Sequence, residues 1–409
     1  MGLRLVFVLL LYILLLFYGS WYPFAWSAPG APLLAFLHGP LPSHWDKGDV
    51  VQNVLVYMPF GLLLVACRAC RQRRMHFPLA VLLAVLCGTA VSLVIECGQQ
   101  YLPARVPSLL DVAMNATGSI AGALAAAPFD RHTGVGINVF RLREAWCRPG
   151  PLAGTGLAVI GLWFLSQTSP LVPSLDIAEL RHALGYLYRG VTQPSTADPG
   201  KFATLLCYQA GLGILLASLL ATGRPLLRTY CVLMAVVFVC KLLVAGRVLS
   251  IELVAATACA LPLLALVRTF QPRALATCGI ALLSAGLVAY ERQQGVPQLP
   301  WQPFNWVPFA GQMESLSGLE NILEFLWPTM AAACLLRQVL PFHWQDGAAV
   351  VGTVLVGAGM FLLEWLQQDV PGRYGDITQA VLACAGWIVP WCVPREGPRT
   401  AAALAAHRH

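Results

Sequence analysis

Apolar runs long enough to cross a hydrocarbon layer recur along the whole chain, and they leave few folds open. A helix needs about 17 to 25 such residues to span a layer ~30 Å thick. Runs of that kind fall near 3-19, 50-66, 78-97, 109-127, 152-168, 202-221, 228-246, 249-268, 273-290, 319-336, 346-366 and 376-393. The second and fourth are diluted by Pro59, Gly61, Gly118 and Gly122, which membrane helices tolerate. Charged residues are 11% of the 409 and hydrophobic ones 58%, against roughly 25% charged in soluble domains. The expected fold is therefore all-α: a polytopic membrane protein of about twelve transmembrane helices arranged in repeated four-helix bundles.

Lys and Arg set the expected orientation. With the N-terminus inside, the inner loops hold seventeen of them, including Arg68, Arg71, Arg73 and Arg74, and the outer loops eight. Both termini are then cytoplasmic. The net charge of +7 reflects this asymmetry, and nucleic acid is not expected as a partner, because no basic soluble domain is present. Residues 3-19 read as a retained helix and not as a secretory signal, since that helix completes the first four-helix set.

At a single offset of 268 residues, Asn53 falls on Asn321, Glu96 on Glu364, Gln99 on Gln367 and Arg105 on Arg373. Four identities among so few polar residues indicate an internal repeat. Each copy runs on into a helix opened by an aspartate, Asp111 in the first and Asp376 in the second, with Asn115 following in the first. The arginine-to-aspartate spacing is six residues in one copy and three in the other, so the two turns are expected to differ locally. The regions read as 1-127, a middle region 128-272, a second copy 273-393 and a tail 394-409. The middle region is a candidate degenerate copy: "CYQAGLGILLA" echoes "LVYMPFGLLLVA", and Lys241 stands where the glutamate would be, followed by Arg247, Ser250 and Glu252. Residues 169-201 and 291-318 read as connections rich in turn chemistry, the second with an aromatic cluster suited to the membrane interface.

The repeated polar groups belong to one layer near the outer leaflet. Glu96 and Gln99 share a helix face, as do Asp111 and Asn115, and Gly118 and Gly122 permit close helix contact there. Ionisable groups inside a membrane are usually paired or line a wet cavity, and the natural pairs are Glu96 with Arg105 and Glu364 with Arg373. Two readings stay open. An arginine bridging two carboxylates could only lock the elbow, or the cluster could hold a phosphate, sugar or peptide-like group, with a carboxylate as base. No metal site is expected: the His38, His44, Asp46, Asp49 group matches no ligand spacing, Cys67 and Cys70 lack a second pair, and no cofactor motif occurs.

The stretch "NVLVYMPFG" (Asn53 to Gly61), the E-x2-Q at a helix end, the arginine and "SLLDVAMNATGSIAG" resemble the VanZ-like membrane proteins over residues 1 to about 127. A more divergent resemblance follows in "NILEFLWP" and "EWLQQDVPGRYGDITQ". That second stretch has Trp327-Pro328 where the first has Pro59, and Gln379-Ala380 where an asparagine would match Asn115. An activity needing the full set is expected in the first copy.

The resemblance implies a role in low-level glycopeptide (teicoplanin) resistance or in bacterial envelope loci such as surface-polysaccharide clusters. It maps the binding set onto Asn53, Glu96, Gln99, Arg105, Asp111 and Asn115, with Asn321, Glu364, Gln367, Arg373 and Asp376 as second-copy equivalents. Implied partners are membrane lipids, a glycopeptide or lipid-linked glycan, and envelope export or assembly proteins. Two alternatives remain, a transferase or hydrolase acting on a lipid-linked sugar and a transporter, so whether the chain is an enzyme stays open.

Overall fold

The computed structural model describes residues 2–29, 32, 34–38, 47–70, 76–169, 172–174, 176–267, 269–293, 303–312, 316–370 and 372–393; His44, Asp46 and the tail 394-409 lie outside them. The described chain is helical, and its only strand-like pairings are isolated bridges such as Asn305 with Asp376. It divides into two compact units, Met1–Ala145 and Trp146–His409.

The first unit contains α1 (Gly2–Trp21), α2 (Lys47–Cys70), α3 (Phe77–Gln99), α4 (Leu109–Ala125) and most of α5 (Gly134–Trp146). The second contains α6 (Pro151–Thr168), α7 (Ile177–Thr192), α8 (Pro199–Leu219), α9 (Leu226–Leu243), α10 (Ile251–Val267), α11 (Pro272–Glu291), α12 (Leu316–Val339), α13 (Gln345–Leu366) and α14 (Ile377–Cys392). Eight helices are long and apolar enough to cross a membrane, and Leu5–Trp21, Leu152–Thr168, Ile251–Val267 and Ile377–Cys392 are shorter apolar helices. Together they cover the twelve expected runs. This is a multi-pass membrane protein.

The outward faces agree with that reading. Phe7, Leu10, Leu11 and Leu14 on α1 and Val350, Val351, Val354 and Leu355 on α13 are exposed, as lipid-facing side chains are. Inside the first unit, α2 and α4 pack backbone to backbone. A Cβ on Gly122 would stand 1.8 Å from the Met58 carbonyl oxygen, one on Gly61 2.1 Å from that of Ser119, and one on Gly118 2.3 Å from that of Val54. Leu16, Tyr57, Phe60 and Ile95 fill the space between α1, α2 and α3. The core of the second unit is built around Trp163, Tyr208, Leu212, Tyr230, Leu264 and Trp327.

Three elements depart from the sequence reading, the first being α5, a helix in the inner connection between the runs 109-127 and 152-168. The connection 169-201 contains α7, whose Ile177, Leu180, Leu184, Tyr188 and Val191 form an exposed apolar stripe, the pattern of a helix lying in the interfacial plane. Its start signal was present, because Asp176 caps it by accepting from Ala178 N at 2.9 Å, but prolines and serines on both flanks read as loop. The aromatic connection is likewise drawn inward in part: Phe304 is buried against Phe361 and Trp365 of α13.

Candidate functional site: polar elbows between helices

A backbone problem shapes the first elbow. The opening N–H groups of a helix and its closing carbonyls have no partners within the helix. Ser108 caps α4, its Oγ accepting from Leu110 N at 3.1 Å, and its own N–H donates to Glu96 Oε2 at 2.9 Å. Glu96, 2% exposed, thus ties the end of α3 to the start of α4 through a charge-assisted bond. Asn53 Nδ2 donates to Asp111 Oδ1 at 2.8 Å, joining α2 to α4. Buried Asn115 donates to Ser92 Oγ at 2.9 Å, joining α4 to α3.

The remaining two groups reach the closing turn of α1. Gln99 Nε2 donates to Ser20 O at 3.2 Å, and Arg105 Nη2 lies 3.5 Å from both Gly19 O and Tyr22 O. All six expected residues therefore meet at one elbow, but the expected Glu96–Arg105 ion pair does not form among the described residues. The guanidinium goes instead to main-chain carbonyls at a helix C-terminus, where the helix dipole favours a cation. Ser92 and Ser108 complete the set and were not singled out from the sequence. A serine directly before an apolar run is the cap signal that would have found Ser108.

The second unit repeats these bonds at the same offset of 268 residues. Asp376 caps α14 by accepting from Thr378 N at 2.8 Å, and its N–H donates to Glu364 Oε2 at 2.8 Å. Gln379 Nε2 donates to Asn321 Oδ1 at 3.5 Å. In the turn, Leu102 N to Gln99 O and Arg105 N to Leu102 O recur as Val370 N to Gln367 O and Arg373 N to Val370 O. The two turns are thus alike, contrary to the expectation of local difference. Asp376 occupies the capping position of Ser108 and not that of Asp111, whose place is taken by Gln379, while Ala383 stands at the register of Asn115.

Arg373 follows its counterpart by donating to Glu291 O at the end of α11. Its ion pair, at 4.0 Å, is with Glu291 and not with Glu364. Gln367 Nε2 donates to the Glu291 carboxylate and lies 3.3 Å from Glu364 Oε1. Glu291 was missed because, as the last residue of an apolar run, it looked like a solvated terminus. A third elbow joins α9 to α10, where Arg247 donates to Ser169 O just beyond α6.

Accessibility separates the first two elbows. In the first, Arg105 is exposed and Asn53, Gln99 and Asp111 are half-buried above buried Glu96 and Asn115. In the second, Glu364, Gln367, Asp376 and Gln379 are all buried. Residues 303–312 cover it: Asn305 N donates to Gly375 O and Ile377 N to Asn305 O, Phe309 N to Thr378 Oγ1 at 2.8 Å, and Gln312 Nε2 to Asp376 Oδ2 at 3.2 Å.

The Asn53–Asp111 bond permits a direct test. Asn53→Leu leaves a carboxylate without its amide donor, expected to lower stability by ~1–3 kcal/mol. Asn321→Leu, whose bond is longer, should change the thermal unfolding temperature of purified protein less.

Polytopic helices closed by polar elbows define a membrane protein class, and a family model makes the class specific. Residues 6–129 match the model described as VanZ/LLP1, a segment that lies within the first unit and contains all six N-terminal site residues. The N-terminal unit is therefore similar to the VanZ/LLP1 family over those residues. None of the curated proteins and none of the solved structures compared matches the chain.

Proposed function

We propose that the chain is a bacterial inner-membrane protein, both termini cytoplasmic, whose first elbow holds the hydrophilic part of an amphipathic envelope molecule at the outer leaflet. A glycopeptide or a lipid-linked glycan is the class of ligand that the VanZ resemblance favours. The observation carrying the reading is the contrast between two elbows built on the same bonds. One keeps an exposed arginine and a half-buried amide–carboxylate pair within reach of a ligand, and the other has a half-buried arginine and has Asp376 and Gln379 buried, with residues 303–312 bonded over its cap. Arg105 would contact an anionic or hydroxyl group, and Asp111 with Asn53 would accept from and donate to sugar hydroxyls or peptide amides. Glu96 and Asn115 hold these groups in place from below.

The repeat belongs to the same proposal. In each of the three regions, 1-127, 128-272 and 273-393, an elbow arginine reaches main-chain carbonyl oxygen at the end of the first of its expected spanning helices, α1, α6 or α11. We read this as one four-helix design used three times, with only the first copy left open to a ligand.

The test is a strain lacking the gene, scored for teicoplanin susceptibility and surface-polysaccharide output and complemented with wild type, Arg105→Ala or Asp111→Asn. Wild type should restore the phenotype while both variants fail to, at wild-type levels of folded membrane protein. Full complementation by both variants, or a deletion that changes neither readout, would overturn the proposal.

A further inference from the structure

A cavity of about 170 Å³ opens in the second unit, several times the roughly 30 Å³ share of one water in the liquid. It lies where α6, α9 and α11 end and where α8 and α12 begin, and it shares no residue with the first elbow. Its charged walls are Lys201, Lys241, Glu320 and Glu324, with the Tyr208 and Tyr290 rings beside them.

Two of the four charges are matched locally. Lys201 Nζ lies 3.9 Å from Glu252 Oε2, and Glu320 Oε1 accepts from Arg247 Nη1 at 2.6 Å. Glu324 has an amide neighbour, Gln167 Nε2 at 3.2 Å, and no cation within 4.0 Å among the described residues. Lys241 is 8% exposed, and among the described residues its ammonium has no hydrogen-bond acceptor and no ion-pair partner.

The position of Lys241 explains its isolation. At the ends of α3 and α13, Glu96 and Glu364 accept from the capping N–H of the following helix. Counted back from the elbow arginine, Lys241 holds the position of Gln99 and Gln367, six residues before Arg247, and Phe238 holds that of the two glutamates, so α9 offers no carboxylate to accept. There the opening turn of α10 is capped internally, with Leu253 N donating to Ser250 Oγ at 3.3 Å. The side chain faces the cavity instead, and an unpaired cation inside a helical bundle is costly unless a counter-charge or water reaches it.

We propose that this cavity binds a small zwitterion, its anionic group on the Lys241 ammonium and its cationic group on the Glu324 carboxylate. With the other two charges matched, Lys241 and Glu324 attract each other across the cavity without meeting within 4.0 Å among the described residues, which leaves space between them for a ligand carrying one charge of each sign. A bare anion would satisfy Lys241 but face Glu324, and a bare cation would do the reverse.

The full-length protein in phosphatidylglycerol nanodiscs is titrated with phosphoethanolamine, glycine, inorganic phosphate or ethanolamine, and binding is read calorimetrically and as a shift in unfolding temperature. Saturable binding is expected for the two zwitterions and weaker binding for phosphate or ethanolamine alone. Lys241→Met should weaken zwitterion binding roughly tenfold or more, and Glu324→Gln should remove the preference for a zwitterion over phosphate. Nanodiscs of phosphatidylethanolamine that pre-empt the added zwitterion assign the site to a lipid headgroup, and nanodiscs that leave the titration unchanged assign it to a solute from water. If Lys241→Met does not fold, Thr204→Leu, a change in the α8 wall of the cavity that narrows it and keeps every charge, should abolish binding. Absence of saturable binding in wild type, or binding unaltered by the variant that folds, would overturn the proposal.

Discussion

Gly122→Val is expected to unfold the N-terminal unit or trap it as an aggregate when the membrane is solubilised. Its Cβ would stand 1.8 Å from the Met58 carbonyl oxygen, and main chain, unlike the end of a flexible side chain, cannot swing aside. α4 must then leave α2, which breaks the Asn53–Asp111 bond along the same seam. The expected loss is about 3 kcal/mol or more, the upper end of the overpacking range. Gly161→Ala is the control, because no atom lies within 4 Å of its added carbon, and its unfolding temperature should stay near wild type. A Gly122→Val protein that remains monodisperse with an unchanged midpoint would show that α2 and α4 are not in close contact.

Arg373→Met should be the most damaging change in the second unit. Glu291, Glu364 and Asp376 are each less than 5% exposed, and Arg373 is the cation that pairs with Glu291, at 4.0 Å. Its removal leaves the buried Glu291 carboxylate without its cation, a loss of up to roughly 3–5 kcal/mol. The diagnostic is rescue: Arg373→Met combined with Glu291→Gln should recover a substantial part of the loss, a non-additivity expected of groups in contact. Arg105→Ala, an exposed arginine reaching carbonyls at 3.5 Å, should lower the unfolding temperature much less. Equal destabilisation by the two arginine changes would contradict the difference in burial between the elbows.

The helices were legible because spanning length and apolar composition act on every residue of a run, so each of the twelve runs reappears as a helix. α7 was obscured because its apolar residues are spread around a period and bracketed by prolines. The repeat of the polar residues was legible for a related reason: Asn53, Glu96, Gln99 and Arg105 stand out against an apolar background.

Their bonding was much less legible. Pairing Glu96 with Arg105 follows from opposite charge, but both side chains are taken by main-chain groups, the Ser108 N–H and the closing carbonyls of α1. Every residue carries such groups, so residue type does not mark them. The alignment of Asp111 with Asp376 followed residue identity, whereas the fold follows position in the cap, where serine and aspartate do the same work. Lys241 looked like a failed glutamate, because the cavity that gives it meaning exists only once five helix ends converge.

The elbow arginines grip oxygen atoms that every peptide unit supplies. The contact that α1, α6 and α11 each make with such an arginine does not depend on their side chains, provided that the helix ends at the right height. Substitutions along Phe7, Leu10, Leu11 and Leu14 can then track the thickness and composition of the surrounding lipid without loosening that anchor. Drift should accumulate faster on the lipid-facing side of α1 than at the turn that holds Arg105.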